Sequence, residues 1–255
     1  MARSNGDTYH SCDEWRASPV GTYVDRRRKK LITDLLDLRE DEQLLDVGCK
    51  TGHLLLYFRR LGCDVTGVES SKDMLAAARE RLGERADLRL GTPEDLPFSD
   101  NEFDIVTVSC FESTRSPAIT LSEAIRVCRG RVFVEVLNRY SLAAAQRRRR
   151  KIDGVPLHDG SLLYSYLFVR KLIRDVLADA PIEWGSVIYF PLPWYLRAAA
   201  MEDRMPRKKN PFGLFMGISF PVYFTHMTLQ DPLTGGRKLK VARKQVPGAV
   251  REVEK

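Results

Sequence analysis

The sequence has 255 residues, of which 44% are hydrophobic and 29% are charged. These proportions are ordinary for a globular protein and exclude a fibre or a largely disordered chain. This length allows one substantial hydrophobic core, so we expect a single domain. The formal net charge is +7, and much of it lies in basic runs at 26–30, 147–151, 207–209 and after Gly236.

Such runs can contact the phosphates of nucleic acid or anionic lipid. No RNA- or DNA-binding motif accompanies them, however, and a solvated surface is the simpler interpretation.

Neither a membrane span nor a secretory signal is indicated. The longest uncharged stretch, 210–224, is too short to cross a bilayer and is interrupted by prolines and glycines. The first fifteen residues lack the apolar core of a signal peptide. The five cysteines are scattered and never spaced as C-x-x-C, which argues against a disulfide framework and a zinc site. We therefore expect a cytoplasmic protein without a bound metal.

From residue 42 onward, short β-rich runs alternate with amphipathic helical periods. The pattern predicts strands at 44–47, 64–68, 88–90, 104–109 and 131–136. Helices are predicted at 53–61, from Ser70 or Ser71 onward with Asp73 in a capping box, and around 121–128. This alternation predicts a parallel sheet with helices on both faces.

The second half of the chain has a looser pattern. A helical period returns at 166–177, and two aromatic-rich strands are predicted at 184–190 and 214–224, around a helical insert at 194–205. Two late strands joined in this way predict an antiparallel hairpin that completes the sheet. Residues after Gln230 are polar and basic, and we expect a frayed tail.

The segment LLDVGCKTGHL, residues 44–54, carries the first functional signal. A predicted strand is followed by Gly48 and Gly52, which bracket three other residues before a helix. In open parallel sheets, ligands bind at such turns, where glycine permits close approach. A dinucleotide fingerprint would need glycines at Lys50 and His53, and the P-loop pattern is also missing, so NAD and P-loop nucleotides are disfavoured. A plain strand-to-helix turn is the alternative.

Glu69 is the second signal, because it ends the second predicted strand about 20 residues after the glycine turn. A carboxylate there can accept hydrogen bonds from both hydroxyls of a ribose. A carboxylate that only complements a helix N-terminus is the alternative. Together, the turn and Glu69 favour a nucleoside ligand without phosphates.

Three segments resemble the class I S-adenosylmethionine-dependent methyltransferases in order and spacing, particularly the type 11-like group. They are LLDVGCKTGHLLLYFRRLGCDVTGVESSKDMLAAARERL, LRLGTPEDLPFSDNEFDIVTV and EAIRVCRGRVFVEVLNRYSL. The resemblance covers residues 40–140, and TYHSCDEWRASPVGTYVD resembles the helix that often precedes this core. It implies a Rossmann-like, doubly wound seven-stranded sheet, mostly parallel with an antiparallel last strand. It also implies an N-terminal lid segment over 1–29, a methyltransferase domain over 30–228 and a basic tail over 229–255.

The resemblance implies S-adenosylmethionine as the cofactor and assigns residues to each part of it. The turn and the end of the first strand would line its methionine moiety, Glu69 would hold the ribose, and the next helix and loop would border the adenine. Ser109, after the fourth strand, would lie under the sulfonium. The implied contact residues are Asp46, Gly48, Cys49, Gly52, Glu69, Ser70, Met74, Thr92, Pro93, Glu94 and Ser109.

Two residues depart from the family pattern. Lys50 replaces the middle glycine of the turn, where it could pair with the methionine carboxylate or crowd the site. Pro93 stands where a backbone N–H usually meets adenine, and proline has no N–H. Recognition of adenine would then depend on Thr92 or on the N–H groups of Glu94 and Asp95.

Methyl transfer from a sulfonium needs mainly positioning and, for a hydroxyl or amine acceptor, a base. Candidate bases are Glu112, Tyr9, Tyr23 and His158, and each has an alternative role as a surface or packing residue. We assign none of them. The segment SCFES lacks the NPPY-like turn of many amino-methyltransferases, which disfavours methylation of a base or amide nitrogen.

Aromatic tracts at 186–196 and 211–220 suggest an apolar or aromatic small-molecule acceptor, although core strands have similar composition. The leading hypothesis is therefore a methyltransferase that acts on a small, lipophilic molecule. One alternative is an RNA methyltransferase that uses the basic runs. Another is a non-catalytic S-adenosylmethionine-binding protein, suggested by Lys50 and Pro93. The sequence does not indicate an oligomeric state.

Overall fold

The structure, a computed structural model, describes residues 13–142, 144, 162–191 and 194–222. Its strands are β1 (Gln43–Val47), β2 (Asp64–Glu69), β3 (Asp87–Leu90), β4 (Phe103–Val108), β5 (Cys128–Leu137), β6 (Glu183–Val187) and β7 (Phe215–Pro221). They form one sheet in the order β3-β2-β1-β4-β5-β7-β6. Strand β7 is antiparallel to both β5 and β6, and the other pairs are parallel. The predicted fold class is confirmed.

Helices cover both faces of this sheet. They are α1 (Pro19–Leu35), α2 (His53–Arg60), α3 (Lys72–Leu82), α4 (Pro117–Val127), α5 (Tyr166–Val176) and α6 (Tyr195–Arg204). Leu44 packs into the core that contains α1, α2 and α3, whereas Leu45 packs into the core that contains α4 and α5. Because successive strand residues point to opposite faces, a strand buried on both sides is apolar at most of its positions, and the buried Asp46 of β1 is an exception.

The start of α3 corrects one sequence prediction. Ser71 is the N-cap residue, and its Oγ accepts a hydrogen bond from the Met74 N–H at 3.4 Å. The third helical position is therefore Met74, and the predicted capping box with Asp73 is wrong. Asp73 lies in the first turn, where its negative charge complements the helix dipole.

The predicted domain bounds are placed against the elements as follows. Helix α1 runs across the expected boundary at residue 30, and the tail 229–255 lies outside the described residues.

Within the described residues, no helix has the length and apolarity to cross a membrane. The same residues include no group of three potential metal ligands from His, Cys, Asp and Glu. Cys49, Cys63, Cys110 and Cys128 are buried free thiols.

A buried carboxylate fastens α6 to α1 and to the turn after β6. Glu202 is 3% exposed. It accepts hydrogen bonds from the Tyr23 hydroxyl at 2.6 Å and from the Tyr189 N–H at 2.8 Å. Ile188 has a φ of 66°, which is strained for a β-branched residue. The strained turn is thus held in place by the N–H that follows it.

We expect Glu202→Ala to lower the free energy of unfolding by about 2–4 kcal/mol, because it leaves a buried hydroxyl and a buried N–H without an acceptor. Glu183→Ala is the control, since Glu183 forms an ion pair with Lys208 in which both side chains are more than half exposed. It should change the free energy by less than about 0.5 kcal/mol. Urea unfolding curves measure both, and equal effects would contradict this role of Glu202.

Candidate functional site

A cleft of about 500 Å³ opens at the carboxyl edge of the sheet, beside the ends of β1 and β4. These neighbouring strands are the switch point at which the strand order reverses, and open α/β sheets bind ligands there. The volume suits a small molecule. The walls come from the glycine turn, the end of β2, the start of α3 and the loops after β3 and β4, including Gly48, Lys50, Glu69, Ser70, Ser71, Met74, Thr92, Pro93, Glu94 and Cys110.

The glycine turn has a left-handed backbone at three of its five residues. The φ angles are 76° at Gly48, 53° at Lys50 and 77° at Gly52. A Cβ atom on Gly48 would lie 2.3 Å from the Cβ of Cys110, so only glycine fits against the end of β4. A Cβ atom on Gly52 would instead meet Leu82 of α3 at 2.8 Å. Gly52 thus packs the turn on α3 and lines neither the cleft nor the smaller cavity described below.

Glu69 is fixed between the turn and α3. It is 6% exposed; its Oε2 accepts from the Lys50 N–H at 3.0 Å, and its Oε1 accepts from the Ser71 N–H at 2.9 Å. The Ser70 hydroxyl also donates to Oε1, at 3.3 Å. Because each carboxylate oxygen can accept two hydrogen bonds, Oε2 keeps acceptor capacity, and rotation of the Ser70 hydroxyl would release Oε1.

The loop after β3 brings Thr92, Pro93 and Glu94 into the cleft wall. The Asp95 N–H is engaged, because it donates to the Thr92 carbonyl at 3.2 Å. The Glu94 carboxylate accepts from the Thr114 hydroxyl at 2.6 Å and from the Arg115 N–H at 2.8 Å. Burial raises the pKa of Glu94, but these hydrogen bonds outweigh it and hold the pKa below its ordinary value.

Asp46 is fully buried, with an unpaired oxygen. The hydroxyls of Thr107 and Ser109 donate to its Oδ1 at 2.8 and 2.7 Å, whereas its Oδ2 has no hydrogen-bond partner among the described residues. Burial raises the pKa of Asp46 to about 6, against the lowering effect of the two hydroxyls. Asp46, Cys49 and Ser109 line a second cavity of about 40 Å³, which shares Gly48 and Lys50 with the cleft.

Arg16 is the main site residue that the sequence analysis missed. It lines the same small cavity, and its Nε is buried with no partner among the described residues, while its Nη1 contacts Asp25 at 3.0 Å. One residue with an unpaired donor and one with an unpaired acceptor thus line the same cavity. Such a pair complements a ligand that carries both an ammonium and a carboxylate.

The segment that carries Arg16 is fastened to the turn by Asp13. The Asp13 Oδ1 lies 3.0 Å from both the Thr51 hydroxyl and the His53 Nε2, and its Oδ2 lies 2.5 Å from Arg81. His53, which replaces the third glycine of a dinucleotide fingerprint, therefore serves as an anchor for the N-terminal segment. Burial, with the charges of Arg16 and Arg81, lowers the pKa of His53.

The structure describes two of the four candidate bases. Tyr23 is buried and donates to Glu202, and burial and that carboxylate raise its pKa, so it has a structural role. Glu112 lies beside the cleft, with its Oε1 3.2 Å from the Lys50 Nζ. Tyr9 and His158 lie outside the described residues.

Comparison with known proteins agrees with this geometry. The family described as "Methyltransferase domain" matches residues 45–134. Demethylmenaquinone methyltransferase of Renibacterium salmoninarum is 26% identical over 64% of this chain and 75% of its own length. Malonyl-[acyl-carrier protein] O-methyltransferase of Pectobacterium atrosepticum is 35% identical over 44% of this chain and 45% of its own length. Three matches to curated relatives of this kind, the last one included, cover 44–47% of the relatives' own length.

Solved structures show the same fold. An S-adenosylmethionine-dependent methyltransferase of Thermotoga maritima superimposes with a TM-score of 0.66 at 17% identity, over 85% of this chain and 97% of that chain. The plantazolicin methyltransferase BamL, solved with SAH, gives a TM-score of 0.54 at 17% identity over 86% and 96%.

The strand order and the cleft at its switch point define a ligand-binding domain of the doubly wound α/β class. Within that class, residues 45–134 match the methyltransferase-domain family, and the relatives are named as methyltransferases. The predicted resemblance to the class I S-adenosylmethionine-dependent methyltransferases is confirmed.

The raised pKa of Asp46 predicts a pH-dependent gain for Asp46→Asn. The folded protein holds this proton more tightly than the unfolded chain, whose aspartates have a pKa of about 3.9. The contribution of Asp46 to stability is therefore complete below about pH 4 and is lost as the pH rises through about 6. Asparagine has no such loss.

Relative to the wild type, the unfolding free energy of Asp46→Asn should therefore rise by about 1–3 kcal/mol between pH 4 and pH 7.5. Urea unfolding of the free protein across this pH range provides the measurement. The exposed Asp64 supplies the control substitution, Asp64→Asn, for which no such rise is expected. A constant difference between Asp46→Asn and the wild type would contradict the assignment.

Proposed function

We propose that the protein binds S-adenosylmethionine and transfers its methyl group to a small molecule with an apolar or aromatic body. The observation that carries the proposal is the pair of unpartnered buried atoms, Asp46 Oδ2 and Arg16 Nε, on the cavity that adjoins the cleft. One ligand that spans both cavities would need a nucleoside end and an amino-acid end, and S-adenosylmethionine has both. When bound, it supplies a methyl group already activated on a sulfonium.

The residues of the cleft suit the nucleoside end. Glu69 has acceptor capacity for the ribose hydroxyls, and Ser70 and Met74 stand next to it at the start of α3. Thr92 and Pro93 would border the adenine, where the Glu94 N–H is the candidate donor, since that of Asp95 is engaged and proline has none. In this assignment, Met74 and Pro93 supply the apolar surfaces against the base.

The residues of the small cavity suit the amino-acid end. Asp46 would accept from the ammonium and Arg16 would donate to the carboxylate, which would remove both unsatisfied buried atoms. Gly48 lets the backbone approach the chain between the two ends, and Cys49 and Ser109 complete the walls. Of the turn residues predicted from the sequence, only Gly52 is left out of this assignment.

An aromatic array supports an apolar acceptor. Phe111 follows β4 and packs edge-on against Tyr164 at 5.2 Å between ring centroids, and Tyr164 stacks on Phe168 at 5.4 Å. Phe111 and Tyr164 belong to the hydrophobic core, whereas Phe168 is 43% exposed, so Phe168 is the ring of the array that an apolar acceptor could contact. The relative named for demethylmenaquinone supports the same substrate class.

Two alternatives stay open to experiment. An RNA substrate would depend on the basic run 147–151, which lies outside the described residues. A non-catalytic protein that has lost cofactor binding would owe that loss to Lys50 or Pro93. The Lys50 side chain pairs with Glu112, and Pro93 lines the cleft, which is open. Both observations favour a protein that binds the cofactor.

Calorimetric titration with S-adenosylmethionine and SAH, with NADH as the control ligand, tests the proposal. The first two should bind and NADH should not. Glu69→Ala should lower the affinity for S-adenosylmethionine and for SAH by at least about tenfold, because a charged acceptor for the ribose is lost. Glu69→Gln keeps an oxygen for the turn and separates a binding defect from a folding defect, and Glu183→Ala serves as the remote control. Unchanged affinity in Glu69→Ala would contradict the placement of the ribose.

A further inference from the structure

Lys50 has a backbone conformation that glycine would adopt at lower cost. A left-handed conformation is more costly for a residue with a Cβ atom than for glycine, and the Lys50 φ is 53°. Strained backbone of this kind persists where the side chain has a use. The question is therefore what the Lys50 ammonium does.

The ammonium lies where the two cavities meet. Lys50 lines both the cleft and the small cavity, and its Nζ reaches across from the turn after β1 to Glu112 after β4, at 3.2 Å from Oε1. Its side chain is 36% exposed and that of Glu112 is 17% exposed. The attraction of Glu112 raises the pKa of Lys50, so Lys50 is a cation at neutral pH.

The other cations on the small cavity are more firmly committed. Arg28 forms a two-point contact with Glu135, which is 6% exposed, and Lys29 contacts Asp25 at 2.5 Å. Arg16 can use its free Nε without leaving Asp25. Lys50 has a single, partly exposed contact, which is the kind of ion pair that can change partner at little cost.

We propose that Lys50 exchanges partners when the cofactor binds: it leaves Glu112 for the carboxylate of the amino-acid end and so frees Glu112 to contact the methyl acceptor. The inference rests on the proposed function. Glu112 lies between Cys110 and Ser113, which line the cleft, so its freed carboxylate would stand at the cleft wall where an acceptor can reach it. In the free protein the ion pair holds both charges, and in the loaded protein each has a ligand partner.

The proposed exchange involves only the amino-acid end of the ligand, so ligands with and without that end test it. SAH carries that end, whereas 5′-methylthioadenosine has the same nucleoside and thioether without it. Lys50→Met removes the ammonium but keeps the side-chain length and the left-handed backbone cost. Glu112→Gln removes the competing charge. Calorimetry of both compounds with the wild type, the two single variants and the double variant completes a double-mutant cycle.

Lys50→Met should lower the affinity for SAH by about tenfold, since one charge contact is lost. As a single substitution, Glu112→Gln should raise the affinity for SAH by about threefold, since the competing carboxylate is gone. Combined with Lys50→Met, it should leave the affinity for SAH unchanged. The affinity for 5′-methylthioadenosine should be the same in all four proteins. Lys50→Gly suits the backbone and should reproduce Lys50→Met without loss of thermal stability.

Three results would overturn the exchange. Additive effects of the two substitutions would mean that Glu112 does not compete for Lys50. Equal losses for SAH and 5′-methylthioadenosine in Lys50→Met would mean that Lys50 only shapes the turn. A wild-type protein that binds neither S-adenosylmethionine nor SAH would overturn both this inference and the proposed function. Binding with additive effects would overturn the inference alone.

Discussion

The close approach of the turn after β1 to the end of β4 is the constraint on which the site depends. Gly48 has no Cβ and a left-handed backbone, and Cys110 fills the space that a side chain would need. This contact sets the distance between the two loops that line the cleft. It also places the Lys50 backbone against Glu69 and the Lys50 ammonium against Glu112. The geometry of the binding residues thus follows from one tight backbone contact.

The site contains two charged residues with buried polar atoms that lack hydrogen-bond partners among the described residues. Asp46 is fully buried with one oxygen unpaired, and Arg16 has a buried donor without a partner. An unsatisfied buried polar group costs about 1–3 kcal/mol, so the free protein gives up stability at its ligand cavity. A ligand that satisfies both groups recovers that cost on binding, and the cavity therefore favours a zwitterion over a neutral molecule of the same shape.

Local sequence was enough to predict the sheet, the turn and Glu69, because each depends on residues near one another in the chain. Apolar runs of strand length identified the strands, and the glycines identified the turn. Arg16, Asp13 and Glu202 gave no comparable signal. Their partners are 9 to 179 residues away along the chain, and such contacts follow from how helices pack. The capping box of α3 was wrong because two adjacent serines can each cap a helix, and only Ser70 as the cap would have put Asp73 at the third helical position.

The Asp13 contacts also bear on the order in which the chain can fold. Asp13 reaches Thr51, His53 and Arg81, which are 38, 40 and 68 residues further along the chain. Contacts over such separations form only after the intervening chain has been ordered. During synthesis, the segment at 13–17 leaves the ribosome before α2 and α3, so the Asp13 contacts cannot form until those helices have packed on the sheet. The Asp13 contacts are thus among the last to form, and assembly of the small cavity is a late event in folding.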